Sequence, residues 1–83
     1  GQINPTTILL DETLTATAST AANPQTITLT STVGLAQFGF VNIGNETIQY
    51  GGIDGNDITG CIRAVNNSSP VLGLPLKFVR EAI

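Results

Sequence analysis

The side chains able to do chemistry in this sequence are few, and none stands in a catalytic pattern. The chain has no His. The commonest general base is therefore missing, and neither a Ser-His-Asp nor a Cys-His arrangement can be assembled within it. Cys61 is the single cysteine. It lies between Gly60 and Ile62 with no imidazole to lower its pKa, and it reads as a small residue of a β-sheet. Asp54, Asn56 and Asp57 around Gly55 bear a superficial likeness to a calcium loop. The spaced oxygens and closing Glu of such a loop are missing, and a tight turn accounts for the same residues. Asp11, Glu12 and Glu46 are too isolated for a paired-carboxylate mechanism. Gly51, Gly52 and Gly55 are not followed by the Lys-Ser or Lys-Thr of a phosphate cradle. The triplets beginning at Asn45 and Asn67 are Asn-x-Ser/Thr sequons, which matter only in a secreted chain. No catalytic, cofactor-binding or metal-binding residue is assigned, no cofactor is implied, and the chain is not expected to be an enzyme.

The elements that would have to position any site are limited by size and composition. The chain has 83 residues and a formal net charge of −3, which suits a single small domain with a thin stability margin. A lone cysteine excludes an internal disulfide, so partners become the favoured source of extra stability. Charged residues make up only 11%, against about 25% in ordinary soluble domains. Arg63, Lys77 and Arg80 are the whole basic supply, too little for nucleic-acid binding. No apolar run approaches the roughly 18 residues of a membrane span. The lone Cys and the lack of a basic-then-apolar opening lead to the expectation of synthesis in a reducing cytoplasm.

Period-two patterning predicts an all-β fold, a small antiparallel barrel or sandwich of about six short strands. Residues 1–10 read as an extended N-terminal arm and 11–83 as one β domain. A weak Thr/Ala strand is expected over 14–20. The clearest strand is 25–30, with Ile27 and Leu29 facing inward and Thr26, Thr28 and Thr30 outward. Phe38 is expected to plug the end of the core. Residues 40–43 and 46–50 form a hairpin around Gly44-Asn45, and Gly51-Gly52 permits a bend or bulge. After the Asp54–Asp57 turn, Ile58, Gly60, Ile62 and Ala64 share the inward parity, leaving Thr59, Cys61 and Arg63 outside. Residues 71–75 read as irregular and 76–79 as a last strand. The expected core is Ile27, Leu29, Phe38, Val41, Ile43, Ile48, Tyr50, Ile58, Ile62 and Phe78. Glu46 and Arg63 are placed to pair across adjacent strands, as an exposed ion pair worth at most ~1 kcal/mol.

Between Thr26 and Asn67 one ordered set of residues stands out. Gly44, Glu46, Ile48 and Tyr50 match the pattern G-x-E-x-I-x-Y. Gly55, Asn56, Thr59, Gly60, Cys61 and Arg63 match G-N-x-x-T-G-C-x-R. About half the chain thereby resembles a small β-module of tailed-bacteriophage virion proteins, found in tail, baseplate, fibre and some head-associated proteins. Ala64 stands where the module often has Gly, and residues 68–74 replace its usual Ala- and His-containing segment. The resemblance implies a structural role and carries no catalytic residue.

The expected function is that of a non-enzymatic virion structural protein, foremost a capsid decoration or cement protein. The acidic balance suits an outer surface, and an N-terminal arm could add a strand to a neighbour's sheet. The alternative within the class is a tail, neck, baseplate or fibre component. The alternative from another class is a carbohydrate- or receptor-binding β-domain, weakened by one Tyr and no Trp. The expected partners are other virion proteins, the major capsid protein or tail and neck proteins, with no nucleic acid and no membrane. A symmetric homo-oligomer is also expected, a trimer being one candidate form. The expected location is the virion, after synthesis in the host cytoplasm.

Overall fold

The computed structural model describes residues 7–17 and 19–82. Among them, alternating branched and polar residues settle into six strands: β1 (Gln25–Thr28), β2 (Gly39–Ile43), β3 (Glu46–Tyr50), β4 (Gly52–Asp54), β5 (Asp57–Cys61) and β6 (Val79–Glu81). They form two three-stranded antiparallel sheets, β1-β5-β4 and β3-β2-β6. Isolated bridges join the sheets on both flanks. Gln49 of β3 pairs with Ile62 just beyond β5, Leu10 pairs with Leu29 just beyond β1, and Leu9 pairs with Phe78 just before β6. Pairing thus passes from β5 through β1, residues 9–10, β6, β2 and β3 back to the end of β5. The result is a small all-β barrel of sandwich-like build. Closing the ring covers most sheet edges, which would otherwise invite pairing with other chains.

Local chemistry explains the turns. Gly44 and Gly55 each open a two-residue hairpin loop, with φ of 61° and 62°, as primed turns require. The loops are closed by the pairs Ile43–Glu46 and Asp54–Asp57. Gly51 is where the chain leaves one sheet for the other, and its N–H bonds the Thr59 carbonyl at 2.9 Å. The bend expected at Gly51-Gly52 is therefore the crossing between the sheets.

The core contains Ile27, Leu29, Val41, Ile43, Ile48, Tyr50 and Ile58, as their parity requires. It also takes in Ile8, Leu10, Leu14, Cys61 and Val79. Of the arm expected over residues 1–10, residues 1–6 lie outside the described residues. Ile8 and Leu10 belong to the barrel: the Ile8 carbonyl accepts from Val79 N–H, and Leu10 N–H bonds the Lys77 carbonyl at 2.8 Å. Among the described residues, the strand expected over 14–20 reduces to one bridge, Leu14 to Gly73.

Four placements differ from the sequence reading, the first being the last strand, expected over 76–79 but running over Val79–Glu81 beyond a turn at Pro75-Leu76. Phe38 is 72% exposed, because Tyr50 occupies the end of the core. The Tyr50 ring lies directly under Gly39, and its hydroxyl donates to the Ala36 carbonyl at 2.8 Å. Phe78 is 56% exposed, since the inward parity of its strand belongs to Val79. The fourth difference is at the end of β5. Two steps on β1, Gln25 to Ile27, face three on β5, from Ile58 to Cys61. The extra residue is a bulge, and Gly60 carries it with φ 63°, as the Gly-containing bulge type needs. A one-residue insertion exchanges the two faces of everything that follows. Cys61 and Arg63 therefore point inward, Gly60 is exposed, and Ile62 and Ala64 are only half-buried.

Candidate functional site

The bulge at Gly60 delivers Arg63 into the interior, where it meets Glu46 at the start of β3. Both residues are almost wholly buried. Arg63 Nε and Nη2 bond the two Glu46 carboxylate oxygens, the second at 2.8 Å. The same carboxylate accepts the backbone N–H groups of Ala64 at 3.2 Å and Val71 at 3.0 Å. Arg63 Nη2 also donates to the Val71 carbonyl at 3.0 Å. The expectation of an exposed pair is thus corrected. Burial removes solvent screening, and the two-pronged geometry with added backbone donors offsets part of the cost of desolvation, with Arg63 Nη1 left buried and unpartnered among the described residues.

This pair organises the loop that follows. Ala64, Asn66 and Asn67 all take left-handed backbone, with φ of 57°, 55° and 65°. Such conformations persist in non-glycine residues only where surrounding contacts over-determine them. Glu46 grips the two ends of the segment, at Ala64 and Val71. Ser68 grips its middle: its hydroxyl donates to the Val65 carbonyl at 2.7 Å and accepts Thr47 N–H at 3.0 Å. On the other side, Ser19 Oγ donates to the Cys61 carbonyl at 2.8 Å and accepts Arg63 N–H at 3.1 Å.

Among the described residues, no other group in this interior is poised for reaction. Cys61 is fully buried, and burial pushes its thiol up to about 12. A thiol so raised is not a nucleophile at neutral pH. Burial, with a smaller contribution from the negative charge of Glu81, also raises the Tyr50 phenol. Among the described residues there is no group of three or more His, Cys, Asp or Glu able to hold a metal ion. Asp54 and Asp57 face each other across their turn, and Glu12 is taken up by the Thr28 amide. The likeness of 54–57 to a calcium loop therefore ends in a hairpin tip.

The surface offers a different arrangement. Leu72, Leu74, Leu76 and Phe78 are each more than half exposed. They lie along one stretch, on either side of a turn at Pro75-Leu76, and its buried residues are Gly73 and Val79. Gly73 presses on Leu10 and Leu14 so closely that an added Cβ would sit 3.1 Å from a Leu10 methyl. The backbone lies on the core there, and its large side chains are left outside. At the end of this row is a shallow cavity of about 230 Å³ lined by Asn42, Gly44, Lys77, Phe78 and Arg80. The Arg80 guanidinium stacks over the Phe78 ring, 5.4 Å from its centre. Residues 71–75 are irregular, as the sequence leads one to expect; the outward placement of their leucines was not legible, because apolar residues at every second position do not say which side faces water.

The residues that carry the resemblance come together as structural parts. Gly44 and Gly55 make turns, Tyr50 closes the core, Gly60 makes the bulge, and Cys61, Glu46 and Arg63 fill the interior behind it. Comparison of the chain with protein-family models, with curated proteins and with solved structures returned no match.

Proposed function

We propose that this chain is a non-enzymatic virion structural protein of a tailed phage, acting as a capsid decoration or cement protein that stabilises the particle through protein–protein contacts. The observation that carries the reading is the exposed row of Leu72, Leu74, Leu76 and Phe78. An apolar strip with a charged margin is the composition of a contact surface rather than of a solvated one. Two further features support it. The residues shared with the phage module serve the fold, leaving the interior with no free reactive group. The chain is poor in charge and rich in Thr, Asn, Ser and Gly, which favours close packing against neighbours.

Copy number in purified particles tests the reading. Quantitative mass spectrometry against the major capsid protein should give a ratio in the hundreds per particle. A few to a few dozen copies would move the chain to the neck, tail or baseplate. Absence from particles would overturn the structural reading.

A further inference from the structure

Two charge clusters in this molecule lack partners among the described residues, and they are complementary. Asp54 and Asp57 close the β4–β5 turn as direct cross-strand neighbours, which places two carboxylates side by side. Like charges so opposed destabilise a hairpin unless a cation compensates them. Neither carboxylate has an ion-pair or hydrogen-bond partner among the described residues. Lys77 and Arg80 line one cavity with Phe78, and neither forms an ion pair among the described residues. With Arg63 buried against Glu46, these two are the only other basic side chains of the chain.

The two clusters sit on different sheets. Among the strands, β6 packs on β2 alone and β4 on β5 alone, so neither cluster is placed to satisfy the other within one copy. Each also has apolar company. The acidic tip is held beside exposed Val33, since the neighbouring Thr32 hydroxyl donates to the Gly55 carbonyl at 2.6 Å. The basic cluster ends the row of Leu74, Leu76 and Phe78.

We propose that the face bearing Lys77, Phe78 and Arg80 docks the Asp54–Asp57 turn of a second copy of this chain. The contact is head-to-tail: the acidic tip of one copy meets the basic, apolar face of the next. A repeated contact of this kind closes into a ring when its rotation permits. It does not depend on the virion assignment, and its test requires no particle.

The test is sedimentation velocity on the whole chain and on two charge-reversal variants, K77E/R80E and D54K/D57K. Circular dichroism first shows that each variant keeps the β fold. Wild type should self-associate, more weakly at high salt because the contact is charged. Each variant alone should lose on the order of 100-fold in association constant, since like charges then meet across the contact. Mixing the two variants should restore association, because each tip then meets a face of opposite sign. A monomeric wild type at high micromolar concentration would overturn the proposal. So would variants that associate as well as wild type, because the apolar row would then be packing on itself. A mixture that stays monomeric would overturn it equally.

Discussion

Two parts of this barrel treat charge and apolar bulk in opposite ways. Around Glu46 and Arg63, a full ion pair is enclosed while Ile62 stays half-exposed. Along residues 72–78, three leucines and a phenylalanine face outward while a glycine faces the core. Both inversions come from the backbone. In the first, the Gly60 bulge swaps the faces of the chain beyond it. In the second, the backbone lies so close on Leu10 and Leu14 that even a Cβ at the inward position would press on them. The lesson is that side-chain type decided neither case. The charged residues are held inside because the loop amides complete the bonding of Glu46, while Arg63 Nη1 stays buried without a partner among the described residues, and the leucines outside are available for contact with something else.

The sharpest way to break this comparison is to remove one member of the buried pair. Arg63→Ala should cost about 3–5 kcal/mol by leaving the Glu46 carboxylate unpaired in the interior, read by urea unfolding. Replacing both members together, Glu46→Leu with Arg63→Met, should cost less than that. A single substitution worth ~1 kcal/mol or less would mean the pair is screened like a surface one.

Leu10→Ala comes next, at about 2–5 kcal/mol, because Leu10 is a wholly buried core residue. If residues up to 10 were a detached arm, the unfolding midpoint would not move. Gly60→Ala should cost about 1–2 kcal/mol through left-handed backbone strain, with little steric cost because its nearest contact is an ordinary 3.6 Å. A neutral result in thermal unfolding would show that the bulge can relax.

A gentler effect should appear in alkali. The Cys61 thiol is raised from 9.0 to about 12 in the folded chain. The unfolded state therefore releases its proton first, and stability falls as pH rises above 9.0. The raised Tyr50 phenol acts in the same direction. Unfolding free energies measured from pH 7 to pH 11 should decline from about pH 9, and Cys61→Ala should flatten the decline. A decline unchanged by that substitution would assign it elsewhere. The smallest effect belongs to the outer row: Leu74→Ser and Leu76→Ser should change stability by no more than about 0.5 kcal/mol. A larger loss would place these side chains in the fold rather than on its contact face.

Most of the barrel was legible from alternation and turn chemistry. Ile27 and Leu29, or Val41 and Ile43, announce their faces because period two is strict between turns. The two Gly-Asn hairpin loops are readable because few residues accept positive φ. Phe38 and Phe78 were misplaced for one shared reason: bulk and hydrophobicity suggest burial, yet a neighbour, Tyr50 or Val79, already held the inward position. The site was less legible. Glu46 and Arg63 could be paired from sequence, but their depth could not, because it depends on one inserted residue.

What the sequence by itself determined is the class of fold, the hairpins, most of the core and the lack of histidine chemistry. These follow from local periodicity, backbone preference and composition, which act over a few residues. Only the tertiary structure decided that residues 8–10 complete the barrel, that an ion pair lies inside it and that a leucine row lies outside. Those outcomes depend on register between segments far apart in the chain, where a shift of one residue reverses every face.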